Sequence, residues 1–182
     1  MRLKTRELTD RVFLEQVKLL YEKNDTVLIG TIGISLTTLI VLWNAISTVE
    51  IVSWFLFTLM IAAARMILGA RKKRTTITAK NARWWANAFV VGAVANGLSW
   101  SIVPMFFLLP EQPIYVLFIA CLYAGYISGS VASTSVYLPA FIGFALPLTA
   151  LCSARVFMES VPVYVAIAIM IWFYAFASYD FA

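Results

Sequence analysis

From residue 27 to the end of the chain, apolar residues run in six long blocks, at 27–46, 51–70, 87–109, 113–132, 136–157 and 161–181, with short polar breaks between them. Each block is close to the 20 or so residues that an α-helix needs to cross a hydrocarbon core roughly 30 Å thick. Backbone groups in lipid have no water to pair with, so runs of this kind cross as helices. The pattern therefore predicts an all-α, polytopic bundle of six transmembrane helices. The residues before the first block read differently. Over 8–23, Phe13, Val17, Leu20 and Tyr21 share one helical face, while Arg11, Glu15, Lys18 and Glu22 fall on the other. Glu15–Lys18 and Lys18–Glu22 are spaced to pair along it. This predicts an N-terminal amphipathic helix lying in the membrane interface or docked against the bundle, with a plain solubilising lead-in as the alternative. Asn24-Asp25-Thr26 predicts a stop and an N-cap for the first span. The domain division is thus 1–26 and 27–182.

Composition and charge sharpen this picture. Hydrophobic residues make up 62% of the 182 residues and charged residues 13%, which leaves room for one membrane domain and no soluble catalytic domain. Arg71, Lys72, Lys73, Arg74, Lys80 and Arg83 crowd the second loop with no acid among them. The first loop carries only Glu50, the third Glu111, and the fifth Arg155 and Glu159. The positive-inside rule makes the second loop cytoplasmic, and six spans then put both termini there too. The net charge of +5 is accounted for by topology, so the expected partner is the lipid bilayer and not nucleic acid. Trp43, Trp54, Trp84, Trp85 and Trp100 mostly fall near predicted span ends, where indole anchors at headgroup level.

The chemistry is sparse. The chain has no histidine, which removes the usual catalytic base and the commonest ligand for zinc, copper and haem. Cys121 and Cys152 each sit inside an apolar run, as small hydrophobes. No signal-peptide cleavage pattern precedes the first block. No intramembrane aspartate pair or serine-based arrangement is present, so no catalytic residue, metal site or cofactor is expected.

Three groupings stand out. Between the fourth and fifth blocks, Gly125 and Gly129 form a GxxxG pair that Ala132 and Ser133 extend. Such a ridge serves close helix packing or dimerisation, or else borders a polar cavity with Tyr123, Tyr126 and Ser130. In the third block Asn96 needs an interior partner, and with Asn87 and Ser99 it can line the same space. Pro104, Pro139 and Pro147 each remove a backbone donor and can kink their helices, as hinges or as openings for a ligand. Arg65 is the one basic residue well inside a span. It either snorkels to the inner surface or pairs with Asp180 near the inner end of the sixth block.

The run Arg83-Trp84-Trp85, Phe89, Gly92-Ala93 and Gly97-Leu98-Ser99-Trp100, followed by Ala124-Gly125, Gly129-Ser130-Val131-Ala132 and Tyr137-Leu138-Pro139-Ala140-Phe141 with Pro147, resembles the six-helix membrane sensory (MASE-like) domains of bacterial signalling proteins. The resemblance covers roughly residues 15–182. It implies a module that precedes a diguanylate cyclase (GGDEF), phosphodiesterase (EAL) or histidine-kinase output, is joined to it through a helix leaving the sixth span, and sits in a parallel homodimer. No output motif lies within these residues, so the expectation is a longer protein. The expected function is sensory input, with a small hydrophobic ligand lined by Asn96, Ser99, Tyr123, Tyr126 and Ser130. A small transporter or a structural subunit of a membrane complex is the alternative, although no three-plus-three repeat and no mid-bilayer ionisable residue support transport.

Overall fold

The structure, a computed structural model, describes residues 2–159 and 161–180, with side chains described for 11–131, 133–159 and 161–177. These residues form seven α-helices and no strand: α1 (Arg2–Glu22), α2 (Asn24–Leu42), α3 (Thr48–Lys73), α4 (Ala82–Phe107), α5 (Pro113–Thr134), α6 (Leu138–Met158) and α7 (Pro162–Asp180). Helices α2 to α6 are long and apolar enough to cross a membrane, while the apolar stretch described for α7, Pro162–Ala177, is shorter. Ile29, Met60, Val91, Phe106 and Phe173 are all more than half exposed on the outside of the bundle, a surface suited to lipid.

α1 docks against the bundle. Val17 and Leu20 are fully buried, and Tyr21 packs edge-on against Trp85 and Phe89 with ring centroids 5.5 and 5.4 Å away. The Tyr21 hydroxyl donates to the Trp85 carbonyl at 3.0 Å, and Ile77 from the basic loop enters the same cluster. Lys18 pairs with Glu15 at 2.7 Å. The break before α2 falls at Lys23, but Asn24 does not cap the helix. It lies in the first turn, 2% exposed, with its side chain turned to Arg65. A buried charged donor outcompetes the capping position here. Next to it, Asp25 pairs with Lys73 at 2.7 Å, which ties the start of α2 to the end of α3. Both groups are more than half exposed, so this pair orients the helices without adding much stability.

The tightest packing is between α4 and α6. A Cβ added at Gly97 would stand 2.4 Å from the Phe144 carbonyl oxygen and 3.0 Å from the Pro147 ring, and one at Gly143 would stand 3.0 Å from Val94 Cγ2. Ser101 bridges the seam, with Oγ placed to donate to Gly97 O at 2.8 Å and Pro147 O at 3.1 Å. Pro104 and Pro147 lie inside α4 and α6, whereas Pro139 sits at the start of α6, where no donor is needed. Pro139 is therefore not a kink.

The tryptophans also depart from the anchoring expectation. Trp54, Trp85 and Trp100 are 3%, 5% and 0% exposed, and Trp54 stacks edge-on against Trp100 at 5.2 Å. Trp43 and Trp84 remain outside. Position near a span end does not reveal which way a ring turns, and here the core claims three of the five.

Candidate functional site

The seam between α2 and α5 is loose where that between α4 and α6 is tight. α2 carries a polar stripe at helical spacing, Asn24, Thr31, Ser35 and Thr38, all buried and facing the interior. Ser35 and Thr38 satisfy themselves on the carbonyls of Ile32 and Ile34. Thr31 reaches across to α5, and above it the two helices part around a cavity of about 210 Å³. Its lining includes Thr26, Gly30 and Ile34 from α2, Arg65 from α3, Asn96 from α4, Gly125, Tyr126, Gly129 and Ser130 from α5, and Phe144 from α6.

One hydrogen-bond chain organises the polar side. The Asn96 amide donates to the Tyr126 hydroxyl at 2.9 Å. Thr31 Oγ1 bonds its own helix at Val27 O, 3.0 Å away, so the Tyr126 hydroxyl donates to Thr31 across the 2.9 Å gap between them. The phenol thus has one donor and one acceptor, and Tyr126 is held rigidly between α2 and α4. Its ring rests on Trp100 at 4.6 Å and on Phe144 at 5.1 Å.

Arg65 supplies the charge. It is 7% exposed, its guanidinium carbon lies 5.2 Å from the centroid of Phe89, and its Nη2 donates to Asn24 Oδ1 at 3.2 Å. Gly92 makes room for the stem, since a Cβ there would stand 3.2 Å from Arg65 Cγ. Among the described residues no carboxylate pairs with Arg65, and that single hydrogen bond uses one of five donors. Among the described residues, Arg65 is also the one charged residue in the cavity lining. Its field reaches Tyr21 on α1: burial pushes that phenol above its ordinary value, and the Arg65 charge pulls in the opposite direction. Arg65 is therefore buried against the first turn of α2, at the end of the bundle that carries the Asp25–Lys73 pair, with the cavity on one side. The side chain of Asp180, its other expected partner, lies outside the described residues.

The residues expected to line a pocket divide into two groups. Asn96, Tyr126 and Ser130 meet at the cavity, and Gly125 and Gly129 border it. Within the protomer these two glycines pack against nothing, because an added Cβ at either would have open space within 4 Å. The side chain of Ala132 lies outside the described residues. Ser99 and Tyr123 are elsewhere. The Ser99 hydroxyl bonds Thr58 at 2.8 Å, and its carbonyl accepts from the Trp54 indole N–H at 2.9 Å. Tyr123 is fully buried and donates to the carbonyl of Trp100. Pro104 stands four residues after Trp100 and lacks the N–H that a helix would aim at that carbonyl, so Tyr123 replaces the missing donor. Asn87 is exposed.

Asn24, Thr31 and Gly92 complete the site and were not among the expected residues. The helical spacing of Asn24, Thr31, Ser35 and Thr38 along an apolar block marks the buried face of α2, whereas its cavity lining comes from Thr26, Val27, Gly30 and Ile34.

The site holds no base or nucleophile beside a reactive partner. No cluster of three or more His, Cys, Asp or Glu occurs among the described residues. The arrangement sets one buried cation and a fixed polar edge at a cavity. No family model, curated protein or solved structure matches this chain.

Proposed function

We propose that this chain is the sensory input module of a bacterial membrane signalling protein, in which occupancy of the α2–α5 cavity changes the position of α7. The observation that carries this reading is the polar-edged, partly open cavity beside Arg65, lined by α5, which packs on α7. α5 packs on α7 as well as on α6 and α2. The hydroxyls of Ser128 and Tyr174 meet between α5 and α7. A ligand that favours one spacing of α2 and α5 thereby favours one position of α7.

The topology that goes with this reading has six spans and both termini in the cytoplasm of an inner membrane. Two contacts support it. Ile77 of the basic loop packs with α1, so that loop and the N-terminal helix share one end of the bundle. Tyr164, at the start of α7, donates to Pro110 O at 2.6 Å at a different loop, so α7 runs from that loop towards its own C-terminus. A cyclase, phosphodiesterase or kinase output following α7, in a parallel homodimer, completes the proposal.

The test places spin labels at Ile29 on α2 and Phe176 on α7, both exposed, after Cys121 and Cys152 have been replaced by Ser and Ala. Double electron–electron resonance in nanodiscs then follows the separation while medium-chain acids, alcohols and amines are added. The expected result is a shift in distance with any amphiphile that binds. A compound that binds while the distance stays fixed would overturn the sensing role, and its uptake into proteoliposomes would point to a transporter instead.

A further inference from the structure

We infer that the ligand is a single-chain carboxylate amphiphile, its headgroup on Arg65 and its tail leaving the bundle between α2 and α5. This rests on the reading of the cavity as a signal site, and adds the chemical class. Three observations lead to it. First, the lining contains one charge, the Arg65 guanidinium, nine-tenths buried with no carboxylate beside it among the described residues. A buried cation of this kind is stabilised by an anion, and guanidinium matches a planar carboxylate with two parallel hydrogen bonds. The single positive charge calls for a monoanion.

Second, Asn96 and Tyr126 stand at the same cavity and are already tied to Thr31, so they form a fixed polar edge next to the cation. Third, the cavity is small and open on one side. Its volume is about 210 Å³, which takes a headgroup and the carbons next to it, and its open side leaves a longer chain a way out. Gly30 on α2 and Gly125 and Gly129 on α5 are exposed, and a Cβ at any of the three would meet nothing within 4 Å. These glycines leave a slot along the outside of two apolar helices. A slot between two helices admits one chain, which favours a fatty acid over a two-chain phospholipid.

The experiment uses the purified full chain in nanodiscs and equilibrium binding of radiolabelled dodecanoate, with dodecanol and phosphatidylglycerol as competitors. Saturable binding of one dodecanoate per chain is expected, with dodecanol weaker by about tenfold or more, the factor carried by one charge-assisted hydrogen bond. Arg65→Gln should weaken dodecanoate by a similar factor and leave dodecanol unchanged. Gly129→Leu fills the slot from a position with open space around it, so the chain should fold with its melting temperature retained and lose dodecanoate. Equal affinity for acid and alcohol, or undiminished binding by Gly129→Leu, overturns the inference. Displacement by phosphatidylglycerol at lower concentration than by unlabelled dodecanoate overturns the choice of a single-chain carboxylate. Dodecanoate binding that leaves the α2–α7 distance fixed supports this ligand while removing the sensing role, so the two readings fail separately.

Discussion

Two helix seams in this bundle carry glycine and use it in opposite ways. Between α4 and α6, a side chain at Gly97 would run into the Phe144 carbonyl, and one at Gly143 would press tightly on a Val94 methyl. Between α2 and α5, Gly30, Gly125 and Gly129 face open space. The first arrangement is a scaffold: in lipid, where apolar surface gains little by leaving the solvent, close backbone approach is what holds helices together. The second keeps a gap open next to a buried cation. The same residue type thus marks the closest helix contact and an open seam, and only the neighbouring helix decides which.

The comparison can be broken at its rigid side first. Gly97→Ala drives a methyl into the Phe144 carbonyl, which is backbone and cannot step aside, so a loss of about 3 kcal/mol is expected in a denaturation series of the detergent-solubilised chain. Retained stability would mean that the α4–α6 contact is slack. At the open side, Arg65→Met removes a desolvated charge with no carboxylate partner and should raise stability by about 2 kcal/mol while reducing ligand binding. A destabilised Arg65→Met chain would instead show that Arg65 is a structural tie to Asn24 and Phe89.

Smaller effects sharpen the same contrast. Tyr123→Phe orphans the carbonyl that Pro104 leaves without a donor, at about 1–2 kcal/mol. In a Pro104→Ala background the helix supplies its own N–H, so the double-mutant cycle should show most of that loss gone; additive losses would dismiss the compensation. Smallest of all, Gly129→Ala meets no neighbour and improves helix propensity, for a gain of about 0.5–1 kcal/mol in the same assay. A loss there would place an unseen neighbour against α5. Opposite signs for the alanine substitutions at Gly97 and Gly129 are the signature of the two seams.

Much of the architecture was legible in residue order, because lipid demands long apolar helices and α1 announces its buried face through Val17, Leu20 and Tyr21. The site was legible only in part. Asn96 and Tyr126 betray themselves as polar groups deep in apolar runs, where they must find partners. Ser99 and Tyr123 give the same signal and serve a different end, because their partners are set by how α4 lies against α3 and α5. Tyr123 is spoken for by a proline nineteen residues earlier, a link visible only once both helices are in place. Arg65 was legible as a cost, yet its enclosure by Asn24, Phe89 and Gly92 depends on three separate helix turns meeting at one point. The GxxxG spacing marks Gly125 and Gly129 for close packing, yet it is Gly97, outside any such pair, that meets its neighbour.

The most direct test of the open seam is anomalous diffraction from crystals grown in lipidic mesophase with ω-bromododecanoate. The account requires carboxylate density against Arg65 and a bromine peak outside the slot between α2 and α5. Bromine found only at places on the bundle away from that slot, with the cavity beside Tyr126 filled by protein or left without the headgroup, would contradict it.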